Sequence, residues 1–451
     1  MSRPGSSLWR HRDFMRLWSA ETISQLGTQV TMLALPLTAI LILSASPFEV
    51  GALSSAEFAP FLIVGLPAGV WVDRMRRRPI LIVGDLARAA ILASIPIAHW
   101  LGVLTIWHLY VAAFAVGVCT VFFDVAYQSY LPSLVERDKL LEGNAKLEIS
   151  RSGAQLAGPG LAGALVQLVS APVAIAADAA SYVGSALFVL SIRGGEGDAE
   201  RASQPQGRMR AQIAEGLGYV LRHPLLRPIA ACTSISNLFS SMGMAIVVLF
   251  AVRELDLSPG AIGLAFAIGN AGLLGGAFFA DRLAGPVGLG RTIILSIVVA
   301  QIGAVALPLA TPSTAVPVLA SAQLLFGVGA IVYNVNQVGL RQAITPDRML
   351  GRMNATMRFV VWGTLPIGAL VGGALGEAIG LRPTLWVAAI GGLFSVLPPL
   401  LSPVRALRRI PEVDEAGAIE ASGEAARPPE PRPASPPSRS GGEASADQSG
   451  S

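Results

Sequence analysis

The sequence predicts an all-α integral membrane protein in which twelve transmembrane helices form two pseudo-symmetric six-helix halves. Hydrophobic residues make up 53% of the chain and charged residues only 14%, with a mean hydropathy of +0.59. Soluble domains carry about 25% charged residues. Twelve apolar segments have the length of about 20 residues that a helix needs to cross a bilayer. Short motifs also recur about 210 residues apart.

The twelve predicted spans are numbered here in chain order. They cover residues 14–43, 48–72, 79–101, 105–127, 147–169, 172–192, 226–251, 257–280, 291–311, 314–335, 353–378 and 383–402. Nearly all arginines and lysines in the loops fall on one side of this arrangement, and the other side receives only Arg253 and Arg382. Because cytoplasmic loops are enriched in these residues, we expect a cytoplasmic-membrane protein with both termini in the cytoplasm.

Four motifs of the first half return in order in the second half. The pairs are Ser46-Pro47 with Ser258-Pro259, Asp73-Arg74 with Asp281-Arg282, Gln128 with Gln337, and Asn144 with Asn354, at offsets of 208 to 212 residues. Four ordered matches at one offset indicate an internal duplication. Two six-helix repeats are typical of secondary transporters.

Composition divides the chain into four parts. Residues 1–192 form the first half and residues 226–402 the second half. Between them, residues 193–225 begin as a polar stretch, and we expect them to end in an amphipathic surface helix. Residues 403–451 are rich in Pro, Ser, Glu and Ala, so we expect a disordered tail that cannot bury enough apolar surface to fold.

The stretch GPGLAG, from Gly158 to Gly163, matches the G-x-G-x-x-G fingerprint of dinucleotide-binding turns. That fingerprint requires a preceding strand, whereas this stretch lies inside predicted span 5. Its small residues allow a neighbouring helix to approach closely, and Pro159 removes a backbone donor and bends the helix. A functional kink and ordinary tight packing both fit this pattern.

The sequence lacks the motifs that several classes of protein require. The two lysines, Lys139 and Lys146, lie in no phosphate-binding P-loop, and Cys119 and Cys232 sit in apolar runs. The four histidines have no metal-ligand spacing, and no nucleophile–base pair stands out. We therefore expect neither an enzyme nor a bound metal or cofactor. The net charge of +4 follows from membrane orientation rather than nucleic-acid binding, and we expect a monomer whose surroundings are the lipid bilayer.

Two stretches resemble signatures of the major facilitator superfamily. The segment GVWVDRMRRRP, Gly69 to Pro79, resembles the loop 2–3 signature G-x-x-x-D-R followed by a basic cluster, with Arg76 where the family usually has glycine. AQLAGPGLAG, residues 154–163, resembles the helix-5 antiporter signature G-P-x-x-G-G, with Ala162 in place of one glycine. Residues 9–405 as a whole resemble the exporter branch that includes the enterobactin exporter and macrolide-efflux-like proteins.

The resemblance implies roles for both stretches. In the loop 2–3 signature (Gly69, Asp73, Arg74, Arg77 and Arg78), Asp73 would face the N-terminus of helix 11 near Asn354, and Arg77 would pair with Asp124. These contacts would latch the two halves in the outward-facing state, although a basic loop that only anchors topology fits as well. Gly158, Pro159, Ala162 and Gly163 would form the exporter motif. In a departure from the family's drug–proton antiporters, span 4 carries no arginine.

Glu21 is the main candidate for proton coupling or substrate contact. With Gln25 and Gln29 it follows an i, i+4, i+8 spacing, which places the three side chains on one helix face. A carboxylate inside a span usually faces a cavity or a partner. The alternative is an interfacial glutamate paired with Arg16.

Other titratable residues lie within predicted spans. Asp85 and Arg88, like Glu148 and Arg151, are three residues apart, and a structural ion pair is the favoured interpretation of both. Arg358 has no nearby acid on its own helix, so it needs a partner from another helix or an anionic ligand. Asp178 is a further titratable candidate. Asn237, Gln301, Gln323, Asn334 and Asn336 could bind a substrate, or serve as helix–helix contacts.

These observations together predict a secondary transporter with a central cavity that exports a small drug-like or siderophore-like amphipathic compound, with the proton as the coupling ion. The alternatives are an importer with the same fold and a non-transporting membrane sensor or scaffold. A membrane-bound transferase would need clustered His, Asp or Arg at one membrane face, which the sequence lacks. The substrate itself has no local motif.

Overall fold

The computed structural model describes residues 8–72, 75–193 and 209–411, and every regular element within them is helical. The helices of the first half are α1 Arg12–Leu41, α2 Pro47–Ile63, α3 Gly65–Val72, α4 Arg77–Trp100, α5 Ile106–Leu134, α6 Leu140–Val169 and α7 Ala171–Ser191. A helix rises about 1.5 Å per residue. With 30 residues, α1 is therefore longer than the hydrocarbon core of a bilayer is thick.

The helix α8, Met209–Arg222, connects the halves. The helices of the second half are α9 Leu226–Arg253, α10 Pro259–Val287, α11 Leu289–Ala306, α12 Ala315–Ile344, α13 Asp347–Trp362, α14 Thr364–Ile379, α15 Leu381–Leu393 and α16 Leu397–Leu400. The expectation of an all-α membrane fold is confirmed.

Ten segments of the described residues are long and apolar enough to cross a membrane. They match ten predicted spans, with α13 and α14 joined as span 11. Predicted span 2 corresponds to α2 and α3, which are interrupted at Val64, one turn after Pro60. Predicted span 5 corresponds to α6, which is 30 residues long but carries Glu142, Lys146 and Glu148 in its first turns.

Several helices extend beyond the predicted spans at one end of the bundle. For example, α5 continues to Leu134, α6 already starts at Leu140, and α12 continues to Ile344. These extensions lie at the end that carries the loops predicted to be cytoplasmic, called here the arginine-rich end. Polar residues belong to helices there because water can solvate the exposed side of each turn.

The buried apolar residues form three clusters that are distributed unequally along the bundle. One cluster joins helices from both halves at the end opposite the arginine-rich end, and it includes Val50, Ile175, Ile246 and Leu319. At the arginine-rich end, each half has a cluster of its own. The halves therefore share a core only at one end, called here the closed end.

Helix α8 and the segment after α16 pack against the second half. In α8, the predicted amphipathic helix, Glu215 forms an ion pair with Arg352 of α13 at 2.6 Å. Residues 403–406 form a 3-10 helix in which Val404 is fully buried. The prediction of a disordered tail from residue 403 is therefore wrong for residues 403–408, because this segment covers the start of α11. The rest of the tail, from residue 412, lies outside the described residues, as do residues 194–208.

Candidate functional site

Two helix crossings seal the closed end, and both depend on glycine. A Cβ built on Gly163 of α6 would overlap the Pro259 carbonyl oxygen and crowd Gly263 of α10. A Cβ built on Gly51 of α2 would likewise meet the backbone of Gly373 in α14 at 2.5 Å. The missing side chains therefore allow backbone-to-backbone packing between the two halves.

Each crossing is accompanied by a side chain that caps a helix of the other half. Gln167 Oε1 accepts a hydrogen bond from the Gly260 N–H at 2.9 Å, and Glu377 Oε2 accepts one from the Phe48 N–H at 3.3 Å. Both N–H groups belong to the first turn of a helix, where no intrahelical acceptor exists. Gln167 and Glu377 are 210 residues apart, so the same contact occurs once in each repeat.

Arg253 and Arg382, the two arginines predicted for the side opposite the arginine-rich end, form contacts with other loops at the closed end. Arg253 donates to the Ala45 carbonyl of the first half at 2.7 Å. Arg382 pairs with Glu254 at 3.2 Å and donates to the Ala310 carbonyl at 2.8 Å. Arg253 thus adds a third polar contact between the halves at the closed end.

The helix-5 motif residues lie at helix interfaces. Gly158 is buried against Gln29 of α1, and the Pro159 carbonyl lies where α10 crosses. Ala162 is fully buried, and Gly163 forms the crossing itself. The motif therefore packs α6 between α1 of its own half and α10 of the other half.

The arginine-rich end opens into a cavity of about 400 Å³ between the halves. Its walls include Gly69 and Gln128 from the first half, and Asn354 and Arg358 from α13. Its inner end is aromatic, because the rings of Phe61 and Trp362 approach to 5.3 Å across the boundary between the halves. We call it the central cavity.

A second cavity, of about 310 Å³, lies among α9, α10, α11 and α12. Its polar side chains are uncharged and include Ser236, Asn237 and Asn334. Asn237 also donates to the Val361 carbonyl at 3.1 Å. Of the five amides predicted as substrate contacts, these two asparagines line this cavity.

The other three predicted amides occupy different places. Gln301 and Gln323 line a small apolar cavity of about 40 Å³ next to α15. Asn336 is buried and donates to the Val332 carbonyl of its own helix at 2.9 Å. Gln301 also packs against Gly392 of α15, and Gln323 against Gly269 of α10.

Glu21 is a buried carboxylate with one free oxygen. Its Oε1 accepts a hydrogen bond from Gln25 Nε2 at 2.7 Å, while its Oε2 is buried without a partner. The principal charges that act on it are those of Asp124, Arg88 and Asp85. The predicted alternative, a pair with Arg16, is not formed, because Arg16 bonds Asp13 at 2.8 Å.

Asp85 and Arg88 form the ion pair that their spacing predicts, at 2.5 Å. Ser185 donates to the second Asp85 oxygen at 2.7 Å. The Arg88 guanidinium lies between two rings, 4.2 Å from the centroids of Phe123 and Tyr182. Predicted span 4, which corresponds to α5, carries no arginine. Arg88 of the neighbouring α4 nevertheless places a cation against Phe123 of α5.

Asp178 lies in a separate polar pocket between α1 and α7. It accepts hydrogen bonds from Thr31 and, at 3.0 Å, from Ser181. Tyr182, on the next turn, shares a hydrogen bond of 2.8 Å with Thr28. Two hydroxyl donors thus satisfy this buried carboxylate.

One arginine from each half acts electrostatically on Asp124 of α5. The charges of Arg151 and Arg358 both act on the Asp124 carboxylate, as does that of Arg88. Arg151 forms no ion pair with Glu148, contrary to the expectation from their spacing. The Arg358 guanidinium lies 5.0 Å from the Trp362 ring centroid.

The loop 2–3 residues are only partly described. Asp73 and Arg74 lie outside the described residues, and Gly69 lines the central cavity. Among the described residues Arg77 forms no ion pair with Asp124, and its Nε is buried without a partner. Arg78 donates to the Leu190 carbonyl at 2.8 Å, at the C-terminal end of α7.

The sequence patterns described above do not indicate a function for Glu57, Gln167 or Glu377. Glu57 is a half-buried acid in the middle of α2, and a lone carboxylate inside an apolar segment was the signal for it. The two capping residues had no comparable signal, because their partners lie 93 and 329 residues away. Among the described residues, no cluster of His, Cys, Asp or Glu has the arrangement of a metal site.

Comparisons with known proteins agree with this geometry. A family model described as Major Facilitator Superfamily matches residues 17–362 and 229–436. The multidrug efflux pump Tap of Mycobacterium tuberculosis (strain ATCC 25618 / H37Rv) is 27% identical over 414 residues, which cover 88% of this chain and 94% of Tap. The uncharacterized MFS-type transporter YvqJ of Bacillus subtilis (strain 168) is 22% identical over 348 residues, or 76% of this chain and 81% of YvqJ.

A solved structure has a similar fold. The crystal structure of a bacterial homologue of the iron transporter ferroportin, in an inward-facing state, aligns with a TM-score of 0.68 at 17% sequence identity. The alignment covers 88% of this chain and 99% of that protein.

Proposed function

Because the chain belongs to the Major Facilitator Superfamily, and is thus a multi-pass membrane transporter, we propose that it exports a small amphipathic compound by alternating access in exchange for protons. The observation that carries the proposal is the asymmetry of the boundary between the halves. Glycine crossings seal one end, and the central cavity opens at the other. If the arginine-rich end is cytoplasmic, as the positive-inside rule predicts, this conformation faces inward.

The proposed cycle moves the halves about the central cavity. Substrate enters from the cytoplasm, the arginine-rich end closes, and the two glycine crossings separate. In the closed arrangement we expect Arg77 to reach Asp124 and Asp73 to approach the start of α13, as the loop 2–3 signature implies. These contacts would replace the shared core that is lost at the other end.

Two observations support export as the direction. Gly158, Pro159 and Gly163 resemble the helix-5 signature associated with exporters, and Pro159 and Gly163 lie at the crossing of α6 with α10. Tap, which is similar over most of its length, is named as a multidrug efflux pump. The aromatic inner wall of the central cavity suits an amphipathic compound with planar rings.

Glu21 is the proposed coupling residue. One of its carboxylate oxygens is buried without a partner, so this oxygen is free to carry a proton. Its charge also interacts with those of Asp124 and Arg88, so a proton on Glu21 changes the electrostatics of the whole group. One proton that crosses a potential of 100 mV supplies about 2.3 kcal/mol, which can drive export against a gradient.

The test is proton movement in proteoliposomes on addition of hydrophobic antibiotics or siderophores, with wild type, Glu21→Gln and Glu136→Gln. The Glu136 side chain is 78% exposed in a surface pair, so its variant is the matched control. We expect proton movement with wild type and the control and none with Glu21→Gln. Equal signals from all three would remove Glu21 as the coupling acid, and silence from wild type across the panel would contradict the proposed coupling.

A truncation separates transport from the scaffold alternative. Residues 403–409 cover the start of α11, where Leu407 accepts a hydrogen bond from the Gly290 N–H at 2.8 Å. The truncation must therefore follow Pro411 rather than Ser402. A transporter truncated there keeps its proton signal, whereas a protein that acts only through its tail loses its function.

A further inference from the structure

Two arginines occupy equivalent positions in the two repeats and lack an ion-pair partner. Arg151 and Arg358 are 207 residues apart, close to the offsets of the repeated motifs. Both side chains are exposed, and neither forms an ion pair with any described residue. An arginine inside a transporter without a counter-ion is a candidate binding group.

The surroundings of Arg358 are aromatic. Its guanidinium lies 5.0 Å from the Trp362 ring centroid, and Phe61 packs on the same ring from the other half. Phe359 lines the central cavity beside them. A guanidinium binds carboxylates in a planar, two-pronged geometry, and aromatic walls stack on flat rings.

The charges that act on Asp124 are those of three arginines. Arg151 and Arg358 both act on Asp124, which also feels Arg88. Arg88 is neutralised by its contact with Asp85 at 2.5 Å. Two guanidinium groups without an ion pair therefore act on one carboxylate. Arg358 lines the central cavity, and an anion bound beside it would also feel the positive charge of Arg151.

We propose that Arg151 and Arg358 form a binding site for the anionic group of an aromatic, amphipathic compound, one guanidinium from each half. Asp124 offsets part of their positive charge while the site is empty. Because the arginines belong to different halves, a bound anion attracts both and favours closure of the arginine-rich end. The inference rests on the proposed function, since it names the substrate class for that cavity.

The test uses salicylate as an aromatic anion and salicylamide as its neutral counterpart. Binding is measured by titration calorimetry on the full-length protein, purified in an uncharged detergent. We expect salicylate to bind, and salicylamide to bind at least about tenfold more weakly, because it lacks the charge-assisted hydrogen bonds. Equal binding of both compounds would overturn the proposal.

Four variants locate the site. Arg151→Gln and Arg358→Gln should each weaken salicylate binding about tenfold or more, and Arg358→Lys should restore part of the loss, since lysine keeps the charge without the planar fork. Arg282→Gln is the matched control, because Arg282 is also exposed and lies 3.9 Å from the ring of Phe278 on its own helix, away from the cavity. Unchanged binding in both glutamine variants would contradict the proposal. Should one of them not fold, the other and the lysine variant decide.

The anion can be a soluble compound or a lipid headgroup, and nanodiscs distinguish the two. Equal salicylate affinity in phosphatidylcholine discs with and without phosphatidylglycerol supports a soluble anion. Competition by phosphatidylglycerol that disappears in Arg358→Gln supports the same site with a headgroup as its ligand. If drugs drive proton movement but salicylate does not bind, the inference fails while the proposed function stands. If salicylate binds but no compound drives proton movement, the binding site is supported and the proposed function fails.

Discussion

The Gln167 side chain of α6 accepts a hydrogen bond from the backbone N–H of Gly260, at the start of α10 in the other half. Glu377 of α14 forms the equivalent contact with Phe48 of α2. The duplication that relates the two halves thus also duplicates the contact that closes one end. Each contact satisfies a helix N–H that would otherwise lack an acceptor.

Removal of either cap should weaken the closed end. We expect Gln167→Ala and Glu377→Ala each to lower the free energy of unfolding by about 0.5–2 kcal/mol, the usual effect of losing an N-terminal cap. Thermal unfolding of the purified protein measures this. Gln167→Glu keeps an acceptor oxygen and should unfold like wild type, and a loss as large as that of Gln167→Ala would show that the cap is not the cause.

A methyl group at the α6–α10 crossing should separate the halves. A Cβ on Gly163 would overlap the Pro259 carbonyl, whereas a Cβ on Gly153, on the same helix, would meet no atom within 4 Å. We therefore expect Gly163→Ala to lose stability and transport, and Gly153→Ala to gain up to about 1 kcal/mol from helix propensity. Unfolding and proteoliposome flux, measured on both variants, check this. Equal behaviour of the two would argue against a tight crossing.

The Asp85–Arg88 pair should show the energetics of a buried charge. Asp85→Asn leaves the Arg88 guanidinium without a counter-charge, and we expect a loss of about 3–5 kcal/mol in unfolding free energy. The double variant Asp85→Asn with Arg88→Met should recover part of it. Glu136→Gln, in a surface pair with Lys139 at 3.8 Å, should change stability by less than about 1 kcal/mol. A small loss in Asp85→Asn would mean that the contacts of Arg88 with the rings of Phe123 and Tyr182 stabilise its charge without Asp85.

His223, at the junction of α8 and α9, should make stability depend on pH. Its Nδ1 accepts hydrogen bonds from the Leu225 and Leu226 N–H groups, at 3.1 and 3.4 Å. Burial lowers the pKa of His223 from its ordinary value near 6.5 to about 4. The folded state thus disfavours the protonated ring, so this stability is complete above about pH 6.5 and is lost as the pH falls towards 4.

The expected loss for His223 between pH 7.5 and pH 5 is roughly 1–2 kcal/mol, from about 1.4 kcal/mol per pKa unit. Unfolding of wild type and His223→Asn at both pH values measures it. The asparagine keeps an acceptor oxygen but does not titrate, so the pH dependence should shrink in the variant. The same slope in both proteins would assign the effect to other groups.

Sequence reasoning identified individual helices and local pairs well. The i, i+3 spacing of Asp85 and Arg88 correctly predicted an ion pair, because two side chains on adjacent turns of one helix are neighbours wherever the helix lies. The same rule failed for Glu148 and Arg151, which form no ion pair with each other. Spacing on one helix does not show which charges of neighbouring helices act on a residue, and the charge of Arg151 acts on Asp124 of α5.

The sequence by itself determined the all-α membrane fold, the positions of most spans and the internal repeat, because hydropathy and helical period are local properties of the chain. Only the tertiary structure decided which end of the bundle is sealed, that Gly163 meets Gly263, and that Arg151 and Arg358 act on one carboxylate. These relationships join residues about 30 to 330 positions apart. Contacts at such separations depend on how whole helices pack. The residue type at a single position, such as a glycine or an arginine, does not indicate which distant residue it contacts.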